Sequence, residues 1–337
     1  MRRELKLWLD YSSPEQKPKS GDLTRLCSAL RAIVSADRLE ETQYACIAIQ
    51  DSVPAEIASI KEVAASLAIP ISCKFVERFS RRELPQLRLV RLTLEGDSVD
   101  NDVDGNPLNR FPSLLCGSCR MPDESRLPDP FYVSGTQMLR RTQDGVHGLQ
   151  LKRDREAFTC AGGIVVVSGR LRRILDMLEQ PLLCASVVGT PRKEVARGFH
   201  ALRPAHNWGR RKNAVSSVQC ADCGRPRRCN VGPDLAPEAL YANRLVMDEE
   251  RLPEPDLICS ETWFGDRTRR PSESADFSRD IYVSGQLYDL LLKAKVRGLM
   301  PPESVVAFRD LIPMVQPAAA QAWLSEKLKL LKEAALL

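Results

Sequence analysis

Apolar and polar positions follow two rhythms over the first quarter of the chain. "ELKLWLDY" (Glu4–Tyr11) reads as a strand, and Leu23–Val34 carries apolar residues at helical spacing. Tyr44–Ile49 reads as a second strand, Pro54–Leu67 as a helix with proline in its first turn, and Ile69–Val76 as a third strand. This β-α-β-α-β order predicts a small α/β layer. "QLRLVRLTL" (Gln86–Leu94) alternates apolar with basic residues, as a half-exposed strand requires, and is expected to close that layer. No glycine-rich loop follows any of these strands, so the central feature of a nucleotide site is missing. The run "EGDSVDNDVDGN" (Glu95–Asn106) reads as an acidic loop. Asp97, Asp100, Asp102 and Asp104 faintly resemble calcium ligands, but the acidic residue required at the twelfth position is lacking.

Beyond that loop the pattern repeats. "PSLLCGSCRMPDES" (Pro112–Ser125) has a near-copy in "SSVQCADCGRPRRCNVGP" (Ser216–Pro233), and "DESRLPDPFYVS" (Asp123–Ser134) in "DEERLPEPDLICS" (Asp248–Ser260). "GGIVVVSGRLRRILDMLEQPLLCASVV" (Gly162–Val188) likewise matches "SRDIYVSGQLYDLLLKAKVRGLMPPESVV" (Ser278–Val306). Each unit runs from a CxxC knuckle through an acidic Leu-Pro stretch to a strand ending in Val-Ser-Gly, then a helix. Ser168 and Ser284 are placed to cap those helices. Leu171, Ile174, Leu175 and Leu178, or Leu287, Leu290 and Leu291, supply the apolar stripes. Neither serine sits in a nucleophile elbow, so both read as caps. The end of the chain, "PAAAQAWLSEKLKLLKEAALL" (Pro317–Leu337), is an amphipathic helix with Trp323, Leu324, Leu328 and Leu331 on one side, expected to dock on its own core.

Composition narrows the chemistry. The chain has 337 residues, 43% hydrophobic and 28% charged, enough for more than one core. With 49 Lys+Arg against 44 Asp+Glu, its net charge of +5 does not by itself imply nucleic acid. No stretch reaches the length of a membrane span or matches a signal peptide, which points to the cytoplasm and to reduced thiols. Only three histidines occur, His147, His200 and His206, and none stands in an HExxH or HxE pattern, against zinc-hydrolase and deaminase chemistry.

The 11 cysteines then divide. Cys27, Cys46 and Cys73 lie in apolar segments and read as core packing. Cys116, Cys119, Cys220 and Cys223 form the two knuckles. One CxxC supplies half of a closed zinc site, which takes four ligands with sulfur at about 2.3 Å. Sequence distance does not forbid sharing, because closure entropy grows only with the logarithm of loop length. Three readings stay open: zinc shared by both knuckles, zinc held by Cys220 and Cys223 with Cys229, Cys259 or His206, and no metal. A redox pair needs a helix directly after the knuckle, and no helical pattern follows either one. Arg225, Arg227 and Arg228 beside the second knuckle leave nucleic-acid binding as an alternative, though without interleaved aromatics, which are 6% of the chain.

The succession "CADCGRP…NVGP…RLPEPDLICSETW…DIYVSGQLYDLLLKAKVRGL" (Cys220–Leu299) resembles the C-terminal unit of the bacterial double-CXXCG motif proteins, a group that includes swarming-inhibition and polymorphic-toxin immunity families. The likeness runs from about Phe79 to Val306, with Gly298 at the final turn. Arg120, in place of the first knuckle's glycine, and Cys229 depart from the pattern. The resemblance implies a non-catalytic protein that binds and neutralises a cognate toxin. The expected architecture is α+β: a small α/β layer over residues 1–95, two tandem repeated α+β units at 107–195 and 196–316, each with a zinc-ribbon-like CxxC knuckle, and the C-terminal helix at 317–337.

Overall fold

The structure, a computed structural model, describes residues 2–9, 19, 21–42, 46–53, 55–94, 116, 118, 127, 129–133, 139–141, 149–151, 156–160, 164–189, 194–208, 217–219, 221–222, 226–229, 244–247, 251–265, 278–302, 304–308 and 311–337. It divides into two compact units. The first comprises Met1–Glu83 with Pro233–Arg244, and the second Leu84–Gly232 with Leu245–Leu337. The acidic loop of residues 95–106 lies outside the described residues.

In the first unit the alternation of β1 (Arg2–Leu9) puts Leu5 and Leu7 on one face. β1 is central. It pairs antiparallel with β3 (Cys46–Gln50), Leu5 opposite Ile49, and with β4 (Ile71–Arg78), Leu5 opposite Phe75. A strand not anticipated from the sequence, β2 (Leu39–Thr42), extends the sheet beside β3. The four-stranded order is β2-β3-β1-β4. Helices α1 (Asp22–Leu30) and α2 (Glu56–Ser66) bury Leu26, Leu30, Ile60 and Ala64 with Leu5, Leu7, Ile47, Ile49 and Phe75. Each large apolar side chain so buried contributes roughly 1.5–3 kcal/mol. At the end of β4, Glu77 accepts hydrogen bonds from Arg244 Nε and Nη2, both at 2.8 Å, in a buried fork.

Gln86–Leu94 does not close this layer. Its regular part is the two-residue strand β5 (Val90–Arg91), which belongs to the second unit. The reason lies on both faces of the segment. Leu89 joins a core with Ile258, Tyr282 and Val306, while Arg88 and Arg91 meet Asp256 at 3.6 Å and Asp280 at 2.9 Å.

The second unit holds a two-stranded ribbon of β7 (Leu139–Arg141) and β8 (Leu149–Leu151) and two larger sheets. The five-stranded sheet contains β6 (Phe131–Val133), β9 (Ala157–Cys160), β10 (Ile164–Ser168), β11 (Leu182–Gly189) and β12 (Glu194–Pro204), in the order β6-β11-β12-β10-β9. The eight-stranded sheet adds to β5 the strands β13 (Asn207–Trp208), β14 (Ser217–Gln219), β15 (Pro226–Cys229), β16 (Arg244–Val246), β17 (Leu257–Gly265), β18 (Ser278–Val283) and β19 (Val305–Ala307). Its path is β14-β15-β17-β18-β5-β19-β16, with β13 against β17.

Two strand–helix segments share their local form. α3 (Gly169–Met177) follows β10, and α4 (Gly285–Lys293) follows β18. Ser168 Oγ accepts from Leu171 N and Ser284 Oγ from Leu287 N, both at 3.1 Å, so both serines are the caps expected. At the helix ends, Glu179 and Lys295 take left-handed backbone, φ 53° and 54°. Gln180 N bonds Leu175 O, and at the same spacing Val296 N bonds Leu291 O. The strand after each helix is separated from the strand before it by one antiparallel neighbour, β12 in one sheet and β5 in the other. The correspondence stops at the strands after the Leu-Pro stretches: β6 lies parallel to β11, whereas β17 lies antiparallel to β18. α5 (Pro317–Glu333) buries Ala320, Leu324 and Leu331 and packs on α4. No described helix is long and apolar enough to cross a membrane.

Candidate metal centre

The second knuckle sits on a hairpin. β14 and β15 pair antiparallel, Gln219 opposite Pro226, and the chain between them turns at Ala221 and Asp222, both exposed. A redox CxxC would stand at a helix N-terminus, where its thiol is activated, whereas the element that follows this turn is the strand β15. The first knuckle is described at Cys116, half-buried, and Ser118, exposed. Cys119, Cys220 and Cys223 lie outside the described residues.

The two turns touch. Ser118 Oγ donates a hydrogen bond to Asp222 Oδ2. Ser118 is the third residue of Cys116-Gly117-Ser118-Cys119, and Asp222 the third of Cys220-Ala221-Asp222-Cys223. Equivalent positions of the two knuckles therefore meet, with one described candidate ligand, Cys116, two residues away.

The other proposed partners of Cys220 and Cys223 lie as follows. Cys259 is buried in β17 at 1% exposure, and its N–H donates to the carbonyl of His206, itself exposed. The Cys229 side chain is outside the described set. Among the described residues no three His, Cys, Asp or Glu side chains form a metal-holding group. Cys27 and Cys46 are buried and Cys73 half-buried, as core packing requires. Burial pushes the Cys27 thiol up and the Cys73 thiol up to about 11, so these two stay protonated at neutral pH and are poor metal ligands.

Sequence reasoning missed one polar patch, on β11 and β12. His200 stands opposite Ser186, and Ser186 Oγ donates to Asp129 Oδ1. Arg172 Nη1 donates to His200 Nδ1 at 3.0 Å, which leaves the imidazole neutral with its proton on Nε2. Burial and Arg172 both lower the His200 pKa. A serine, a histidine and an aspartate are thus neighbours, but the serine proton goes to the aspartate and the histidine is held by arginine. The serine–base hydrogen bond of a nucleophilic triad is not among these contacts. Nothing in sequence could have located the patch, since strand pairing brings Ser186 to His200 and tertiary packing adds Arg172 from α3 and Asp129 from outside the strands.

Equivalent positions also meet in the interior of this unit. A cavity of about 40 Å³ is lined only by Ala, Val, Leu, Ile and Pro. Val165 and Ile281, Val167 and Val283, Leu171 and Leu287, and Leu175 and Leu291 line it as matched pairs. Compared with family models, curated proteins and solved structures, the chain matches none.

Proposed function

We propose that this protein is a non-catalytic binding protein of the immunity type, which neutralises a cognate bacterial toxin by holding it. In this reading two tandem repeated units are clipped together by one structural zinc on Cys116, Cys119, Cys220 and Cys223. The observation that carries it is the hydrogen bond between Ser118 and Asp222. Two half-sites can share an ion only if their turns are adjacent, and here the same position of each turn makes the contact. The matched lining of the cavity supports the same pseudo-twofold packing of the units. Four thiolates form a donor set that suits zinc in a closed tetrahedral site, and bound there the ion supplies a cross-link and no reactive centre. The resemblance to the double-CXXCG proteins points to the same class.

The partner-binding surface is assigned to the acidic Leu-Pro stretches. In the second, Trp208 Nε1 donates to the Arg251 carbonyl and Arg88 Nη2 to the Pro253 carbonyl, each at 3.0 Å, and Ser284 N donates to the Asp256 carbonyl at 2.8 Å. Asp256 turns inward to Arg88, while Glu254 stays exposed. A segment pinned in this way binds a basic partner with little ordering cost. Asp248, Glu249 and most of the first stretch (Asp123–Asp129) lie outside the described residues. The alternative, a nucleic-acid-binding zinc-ribbon protein, rests on Arg225, Arg227 and Arg228.

The test has two arms. Metal analysis of the purified protein should find zinc, and Cys116→Ser and Cys220→Ser should each lose it together with thermal stability. Retention of full metal by either variant would remove the shared clip. Co-expression of this protein with its cognate toxin should rescue growth, and joint charge reversal at Asp248, Glu249 and Glu254 should abolish rescue. Nucleic acid retained on purification and released steeply by salt would transfer the assignment to the alternative.

A further inference from the structure

We infer that the cavity between the two strand–helix segments of the second unit is a binding site for a small apolar molecule without hydrogen-bonding groups. The chemistry follows from the lining. β10 and β18 contribute Val165 and Ile281, and α3 and α4 contribute Leu171 and Leu287, with no polar residue among the lining side chains. Water in such a space would forfeit its hydrogen bonds, and apolar cavities of this kind stay dry and accept xenon or small hydrocarbons. At about 40 Å³ the space suits an occupant the size of a xenon atom or a short alkyl fragment. Val165 at 7%, Leu171 at 3% and Leu287 at 0% exposure are packed into the surrounding walls, while Leu92, Leu182 and Leu299 on the same lining are half-buried.

The matched lining gives the site a consequence. Any occupant touches both segments at equivalent positions, so binding adds stability to the junction between them and none to the unfolded chain. This inference does not depend on the zinc clip or on the toxin partner.

Xenon is the probe. In methyl-labelled full-length protein, rising xenon pressure should move the methyl resonances of Val165, Leu171 and Leu287 along saturating curves, while the methyls of Leu5 and Leu7 in the first unit stay still. Val165→Ile, which copies the residue at the matched position, should weaken the response at least threefold by filling the space. Val165→Ala should strengthen it even as it lowers the melting temperature, so a poorly folding Ile variant leaves the test intact. Absence of a saturating response in the wild type, or a response indifferent to both substitutions, would overturn the assignment.

Discussion

Arg170 donates two hydrogen bonds to the carbonyl oxygen of Leu336, from Nε at 3.1 Å and Nη2 at 2.8 Å. The same guanidinium reaches Glu156 from Nη1, 2.9 Å to each carboxylate oxygen, and the Ala294 carbonyl from Nη2 at 2.6 Å. One side chain at the start of α3 therefore ties down the end of α4 and the end of the chain. The Glu156 side chain is only 9% exposed, so Arg170→Met takes the ionic partner from a buried carboxylate and leaves it the longer bonds from Arg297 N at 3.3 Å and Ser168 Oγ at 3.4 Å. We expect a loss of about 3 kcal/mol in urea unfolding, and about 1–2 kcal/mol on removing Leu336 and Leu337. A loss below about 0.5 kcal/mol for the arginine variant would show that the knot contributes nothing.

The two Val-Ser-Gly motifs should respond differently to the same substitution. A methyl group on Gly285 would collide with the carbonyl oxygens of Leu84 and Leu87, the latter at 2.7 Å, whereas one on Gly169 meets nothing nearer than the Gly198 carbonyl at 3.5 Å. Backbone cannot yield as a side-chain tip does. Gly285→Ala is expected to cost about 3 kcal/mol or more, and Gly169→Ala to stay within about 1 kcal/mol of wild type or to stabilise. Equal effects in thermal melts would contradict this geometry.

Tyr288 is fully buried in α4, and among the described residues its hydroxyl has no hydrogen-bond partner. Burial raises its pKa well above the ordinary tyrosine value. Removing the oxygen removes an uncompensated desolvation cost. Tyr288→Phe should leave stability unchanged or raise it by about 1 kcal/mol. A clear loss on chemical denaturation would mean that the hydroxyl is satisfied.

Acid should act on the first unit through Glu56. Its carboxylate accepts from Arg38 Nη1 and Nη2 at 3.0 Å and from Ser52 Oγ at 2.6 Å, and these bonds, the arginine's above all, hold its pKa at about 2. A depressed folded-state pKa contributes stability that is present above the unfolded value and is lost as pH falls through the folded one. The window therefore runs from about pH 4.5 down to about 2. With 28% of the side chain exposed, solvent screening reduces the contribution to on the order of 1 kcal/mol. Stability profiles of wild type and Glu56→Gln should diverge above that window and converge below it.

The contact between Ser118 and Asp222 is open to a double-mutant cycle. Both residues are exposed, so the coupling between Ser118→Ala and Asp222→Ala should be modest, about 0.5 kcal/mol, and distinguishable from zero in the purified protein. Additive effects would separate the two turns in solution.

What the chain determined by itself was local. The alternation in β1, the stripes of α1 and α2, the serine caps at Ser168 and Ser284 and the apolar faces of α3 and α4 all follow from periodicities and hydrogen bonds spanning a few residues, and these were legible in advance. The two knuckles were legible as residues, and Ser118 against Asp222 places their turns side by side. Tertiary structure decided the rest. Gln86–Leu94 reads identically whichever sheet it joins; Asp256, Asp280 and the core around Tyr282 lie far away in sequence and select the second unit. β2 was hidden because its four residues, Leu-Glu-Glu-Thr, become a strand only beside β3. The two glycines of the repeated motif differ because a distant turn, Leu84–Leu87, presses on one of them alone. Periodicity encodes which face a residue presents, whereas the partner for that face is set by nonlocal packing, which one-dimensional order does not record.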